Sequence, residues 1–487
     1  MNKIFSPKYF HIILIATLCP IFFLIADAPF FGDAISSTSR VVQYIYDQDL
    51  LTIFYPLEWD PGHPTFYPWL MAACWKLFGR TLFVSHLYAY CWYIFLLFIF
   101  YKTVKVFITD SVEINKTLLL FIVMPTTLSM SEMMLNTTAV MAFFLSAVYA
   151  LVTRKNKWFL ISTILMMLTH MQAPFFLLAL AVTDFFLSMK EKNFLKWFKE
   201  RFVFYAIPFA VLLSWLIIHY IHTGWLVLSP NYSDADKLNG LSQYIKSLLI
   251  MSWRLVDFGM ITFYIIFIYA LIKNVGDKKL QQVWLILTLV ICGLMAIFLE
   301  NTIGHRYFLV LGLLMIILVM NVLQYFAPKQ RNILFVLLLL SLLFGNRLYY
   351  PGKTIGDGTL AFSGYFKLEK EIKNDFADTT VFYSYAPIAN TSQLMYLNDE
   401  GISTQRINGQ NLDSLPAIIQ SNLNAEFSEK DKQYLAEHFY GKSYERGAVY
   451  VNIFLNPKFY KKPLGWKLRE PSSFEKWLIN TKQKIKN

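Results

Sequence analysis

Charge is scarce in this chain. Only 16% of its 487 residues are Asp, Glu, Lys or Arg, against 56% hydrophobic and 17% aromatic. That composition excludes an ordinary soluble globule and points to a polytopic α-helical membrane protein. Cysteine is scarcer still. Cys19, Cys74, Cys91 and Cys292 all lie in apolar segments, with no CxxC and no Cys/His cluster, so neither a zinc site nor a disulfide framework is implied. Acidic residues number 32 against 44 basic ones, a net charge of +12. Much of that excess flanks apolar runs, which makes nucleic acid a poor partner and membrane topology the better explanation. Internal repeats and low-complexity linkers are absent. The first apolar run follows Lys3 and Lys8 as a signal sequence would, but Asp27-Ala28-Pro29 offers no small-residue cleavage site, so it reads as a retained anchor.

What the chain does have is apolar length. A span needs about 20 residues, and candidate spans fall at 9–28, 82–101, 117–134, 136–153, 158–171, 174–189, 202–221, 255–272, 281–299, 307–325 and 332–350. The pair 158–171 and 174–189 is short, with Pro174 at the break. Basic residues at Lys3/Lys8, Lys102/Lys105, Arg154/Lys157, Lys190–Arg201, Lys273–Lys279 and Lys329/Arg331 fall on alternate loops, which are therefore expected to be cytoplasmic, together with the N-terminus. The opposite side receives the loop 29–79 and everything after Tyr350. Residues 1–350 thus read as a membrane domain of about eleven helices. From Pro351 no apolar run reaches membrane length, and 351–487 reads as a small α/β domain outside the cytoplasm, with strands at 379–385, 402–407 and 448–456 and helices at 366–376, 389–397 and 429–439. The segment 64–79 is expected to lie at the interface as an aromatic-rich helix. Leu241 to Trp253 is either a second such helix or the first half of a longer one.

The loop 29–79 gathers Asp33, Arg40, Asp47, Asp49, Glu58, Asp60 and His63 between two spans. Ionisable groups held beside a bilayer are either solvated or used. Three motifs stand in order: GDA at Gly32 to Ala34, GHPTFYPWL at Gly62 to Leu70, and KLFG at Lys76 to Gly79. Together they resemble the GT-C membrane glycosyltransferases, in the branch that contains protein O-mannosyltransferases and the aminoarabinose transferases that modify lipid A. Most relatives carry Asp-Glu where this chain has Asp33-Ala34, and many carry Lys-Pro-Pro or His-Pro-Pro where it has His63-Pro64-Thr65. Gly304-His305-Arg306-Tyr307, at the mouth of a late span, extends the resemblance, because many relatives have an Arg-Tyr pair there.

The resemblance implies sugar transfer from a polyprenyl-phosphate carrier, by an inverting single displacement, to a lipid, glycan or protein acceptor on the non-cytoplasmic face of a bacterial inner membrane. Such a reaction needs a carboxylate to take the acceptor's proton, and Asp33 is the candidate; a helix-capping Asp is the alternative. His63 could donate to the leaving phosphate, or merely pin the turn it shares with Asp60. The fork of Arg306, beside Tyr307, suits a phosphate at a membrane surface, although a basic residue and a tyrosine also make a topological anchor. Arg40, Asp60 and His305 are possible supporting groups. Asp47-Gln48-Asp49 forms a DxD pattern, a weak metal candidate against a solvated face, so neither metal nor cofactor is expected and the lipid-linked donor counts as substrate. Asn136 stands where relatives often have aspartate. His170 reads as a satisfied membrane histidine, and Arg254 with Asp257 as an ion pair. The rival readings are a lipid or polysaccharide transporter, which usually shows paired halves, and an envelope polysaccharide polymerase or ligase, whose large loop falls late in the chain.

Overall fold

The computed structural model describes the chain except residues 1–4, 32–33, 190–193, 227–239, 299–303, 351–357, 359, 377–379, 386–401, 408, 424–426, 448 and 487. Among the described residues, five helices are long and apolar enough to cross a membrane, or seven if each of two bent helix pairs is one span. Bent segments, and short ones beyond as well as within the pair 158–171 and 174–189, therefore stand where about eleven spans were expected, and their causes are local.

The chain enters through α1 (Pro7–Ile25), whose first proline, Pro7, sits in the first turn where its missing N–H matters least. After a π-helical turn at Ile35–Ser39 come α2 (Arg40–Asp47) and α3 (Phe66–Phe78), the aromatic-rich helix expected at 64–79. Helix α4 (Leu82–Phe107) starts at an N-cap, where Thr81 Oγ1 accepts from the Val84 N–H at 3.1 Å. The expected span 117–134 is two helices, α5 (Ser111–Val123) and α6 (Pro125–Glu132), bent by 61° at Pro125, which has no N–H to continue the ladder. Next come α7 (Asn136–Val152), α8 (Asn156–Met167) and α9 (Ala173–Ser188). At about 1.5 Å per residue, α8 and α9 each fall short of a hydrocarbon core of about 30 Å.

Helix α10 (Phe194–Thr223) is followed by α11 (Leu241–Val256) and α12 (Ile261–Lys273), which meet at 94°. The segment at Leu241 is thus a helix of its own, set at a steep angle to the next, and not the straight first half of a longer one. Phe258 and Gly259 both adopt positive φ at this bend. A Cβ on Gly259 would lie 1.9 Å from the Ser341 carbonyl oxygen, so glycine is what lets the bend press against its neighbour. That neighbour is α15 (Pro328–Tyr349), which follows α13 (Lys278–Phe298) and α14 (Leu309–Leu323). Helix α14 is apolar on all sides and buried on nearly all of them, packed among α4, α5, α7, α12 and α13. Helices α10 and α15 are mostly exposed apolar surface, as helices facing lipid should be.

Two polar clusters register the helices that carry the site. At one end of α8, α9 and α10, the buried Asp184 accepts from Arg154 Nη1 at 2.9 Å and Arg201 Nε at 2.6 Å. At their other ends, the same helices hold His170 and His219.

The C-terminal region begins with α16 (Ala361–Asp375) and contains a five-stranded sheet in the order β2-β1-β3-β5-β4. Strands β1 (Val381–Ser384), β2 (Ser403–Arg406) and β3 (Ala417–Ser421) run parallel; β5 (Val449–Leu455) pairs antiparallel with β3 and with β4 (Tyr440–Arg446). The expected strand at 402–407 forms one edge of the sheet, whereas the expected helix 389–397 lies outside the described residues. Helix α16 packs on β4 and β5, and α17 (Glu429–His438) opens with a Ser428/Asp431 capping box. Helix α18 (Ser473–Lys486) follows.

Within α16, Glu369 is 2% exposed and bonds Tyr365, with no partner for Oε1 among the described residues. Burial raises its pKa to about 8, against an ordinary 4.5. The native state therefore holds a proton that the unfolded chain releases between those values. Stability accordingly falls as pH rises through that window, by about 1.4 kcal/mol for each pH unit crossed. Glu369→Gln should flatten this fall and slow amide exchange in α16 at pH 8.5. An exchange profile with the wild-type pH dependence would show that the carboxyl is solvated.

Candidate active site

The site is assembled from the turn before α3, the α8–α9 turn, and the turn before α14. In the first, Asp60 is 6% exposed and fully engaged. Its Oδ1 accepts from the Gly62 N–H at 2.8 Å, closing the turn, and its Oδ2 lies 2.8 Å from His219 Nε2 on α10. His219 is itself held by the Trp225 carbonyl, 3.1 Å from Nδ1. Gly62 takes a φ of +71°, which brings His63 round toward the helices.

His63 is half-buried, and its Nδ1 is sealed from solvent without a partner among the described residues. Burial lowers its pKa to about 4, with only a partial offset from the nearby Asp60 carboxylate. It therefore stands neutral at ordinary pH. Its ring centroid is 4.2 Å from that of His170. His170 occupies the α8–α9 turn, where Nδ1 accepts from the Gln172 N–H at 3.1 Å. Asn136 Nδ2 steadies that turn by donating to the Thr169 carbonyl at 3.3 Å, which is the role the structure gives this uncharged residue.

Arg306 completes the group. It lies close enough to His170 for its charge to act on that ring, and its guanidinium stands 5.2 Å from the Tyr307 ring centroid, with Nη2 3.4 Å from the Tyr307 hydroxyl. Both residues belong to the 3₁₀ turn His305–Phe308. Their neighbour His305 points into a second network. Its Nε2 lies 2.8 Å from Asp257 Oδ2 and 3.3 Å from Arg254 Nη1, and its ring packs 4.1 Å from Phe258. Asp257 also accepts from the Tyr350 hydroxyl at 2.6 Å, whereas Arg254 is 3.9 Å away. Asp257 is thus bound chiefly by His305 and Tyr350, and the expected Arg254–Asp257 pair is the looser contact. A cleft lined by Pro125, Arg254, Asp257, Phe258, His305 and Phe308 opens where the two helix bends meet.

The sequence candidates divide accordingly. The structure joins His63, Arg306 and Tyr307, and adds His170, whose signal was the polar break Thr169-His170-Met171-Gln172 ahead of Pro174. Asp60 and His305 support from behind. Arg40 opens α2 immediately after the π-helical turn, a distortion frequent near functional sites. Asp47 accepts from Gln43 at 2.7 Å while Asp49 pairs with Lys76, so the DxD carboxylates are engaged separately. Asp33 lies outside the described residues, between buried Phe31 and Ala34. Chemically, the described part is a cationic fork flanked by two imidazoles and an aromatic face, a setting suited to an anion with an apolar tail.

No family model matches the sequence, and no curated protein matches it. Solved structures do. ArnT from Cupriavidus metallidurans in the apo state aligns with a TM-score of 0.52 at 10% identity, covering 92% of this chain and 98% of that one. The same protein bound to undecaprenyl phosphate gives 0.50 at 9% identity over the same shares. At this identity the likeness establishes architecture alone: the fold of this chain is similar to that of ArnT.

Proposed function

We propose that the protein is a membrane glycosyltransferase that moves a sugar from a polyprenyl-phosphate carrier to an acceptor on the non-cytoplasmic face. The observation that carries this reading is the convergence of Arg306, His63 and His170 in a fold whose neighbour binds undecaprenyl phosphate. In the displacement, the acceptor's oxygen or nitrogen forms a bond to the anomeric carbon as the bond to the carrier phosphate breaks. The bonding pair leaves with the phosphate, and the acceptor's proton goes to Asp33. Charge therefore grows on the leaving phosphate, where the fork of Arg306 meets it without reorganising. His63, neutral beforehand, donates its N–H to the same oxygen or takes up a proton as the phosphate becomes more anionic. Attack from the face opposite the phosphate inverts the anomeric centre. The alternating basic loops support an inner-membrane orientation with the C-terminal region outside.

Two bent helix pairs are a feature that transporters also use, and that rival reading is tested in the same experiment. Purified protein in liposomes, given undecaprenyl-phosphate-linked sugars and an envelope lipid extract, should release undecaprenyl phosphate and glycosylate an acceptor. Turnover should persist in chelator, since a hard cation needs several free oxygen ligands and Asp47 and Asp49 are engaged elsewhere. Transbilayer movement of the intact donor with no transfer would favour the transporter, and loss of activity in chelator restored by magnesium or manganese would revive the DxD site.

A further inference from the structure

Helix α16 does more than pack on the sheet. Its first turn is held by Glu132, the last residue of α6, which is wholly buried. The carboxylate accepts from the Phe362 N–H at 3.3 Å, the Ser363 N–H at 3.2 Å and the Ser363 hydroxyl at 2.8 Å. The opening turn of a helix offers unsatisfied N–H groups, which is what gives this buried carboxyl its partners. On the same turn, Phe362 stacks on Phe31, with centroids 3.8 Å apart and planes within 18°. Further along α16, Lys367 Nζ donates to the Leu24 carbonyl at 3.2 Å, and Lys370 lies 3.7 Å from Asp27. One helix thus grips the end of α1 and the residue two before Asp33, and is itself anchored to α6. That same α6 contacts the turn carrying Arg306, and its proline lines the cleft.

We propose that α16 is a positioning element of the active site, a clamp that sets the first loop against the Arg306 turn, with Phe362 as the contact and Glu132 as its anchor. The proposal rests on the glycosyltransferase reading for its catalytic consequence but not for its mechanics. Neither residue touches the reacting atoms; both act through the loop. The C-terminal region is therefore part of the catalytic machinery, and its distance from the chemistry in sequence is misleading.

The test pairs kinetics with amide exchange on the full-length protein in detergent. Phe362→Ala should lower kcat about tenfold or more, leave the donor KM within about twofold, and speed exchange in peptides covering 27–40 while the sheet stays protected. Phe362→Tyr, which keeps the stacked ring, should restore both. Glu132→Gln, which leaves an acceptor oxygen, should fall between wild type and Glu132→Ala. If Phe362→Ala does not fold, Phe362→Leu is read in its place. Unchanged exchange at 27–40 would overturn the clamp, and so would unchanged kcat with loosened exchange, since the loop would then not need it. If the wild-type protein transfers no sugar, the functional reading fails on its own, and the exchange data still decide whether α16 holds the loop.

Discussion

Asp33→Asn is expected to lower turnover by about a hundred- to ten-thousand-fold, the usual contribution of a general base, while donor affinity holds or improves slightly. Asparagine keeps the size and hydrogen-bonding shape of the side chain but cannot take the acceptor's proton. The improvement follows from charge, because an anionic carboxylate near a phosphate repels it. If Asp33 merely caps a helix, asparagine is nearly as good a cap, and even losing the cap costs only about 0.5–2 kcal/mol of stability. Melting temperature, donor affinity and turnover measured on one preparation separate the two roles. Normal stability with near-normal turnover would remove Asp33 from the chemistry and leave His63 as the first loop's contribution to the site.

Arg306→Ala should come next in size, with turnover falling about a hundred- to a thousandfold, as on removing one donor from a site of developing negative charge. The geometry makes lysine an informative second variant. Arg306 lies against the face of Tyr307 and within electrostatic reach of His170, so a planar fork can stack and hydrogen-bond at once, while an ammonium offers only a point charge. Arg306→Lys should keep the fold and recover only part of the lost turnover at limiting donor. Full recovery at low donor concentration would mean that the position needs charge alone, as a membrane anchor would.

Much of this arrangement is visible in the residues themselves. The aromatic run 64–79 becomes α3, the alternating run at 448–456 becomes β5, and His63 and Arg306 share one site although 243 residues separate them in sequence. What is not visible has identifiable causes. Apolar content alone cannot distinguish a straight span from a bent one, so Pro125 and the Phe258-Gly259 pair vanish into continuous spans. Strand β4 carries Lys442, Glu445 and Arg446 on the sheet edge, where charge is tolerated, and so lacks an apolar signature. Strand β3 is five residues long and buried throughout, too short for periodicity to speak. His170 reads as a satisfied core histidine because its partners, His63 and Arg306, arrive from distant parts of the chain.

The Asp60–His219 contact has a consequence for how the protein is made. The two residues are 159 apart in sequence, and each side chain is about 1% exposed once joined. A ribosome feeding this chain into the membrane delivers the His63 turn early, with α3 and α4, when α10 has not yet been synthesised. At that stage the Asp60 carboxylate has no buried partner, and burying it alone would cost several kcal/mol. The buried form of the turn is therefore expected to be complete only once α10 is in place. Arg306 follows later still. A nascent chain stalled before residue 219 would leave this carboxylate without its buried partner, so an incomplete insertion would be exposed at the same turn that carries His63.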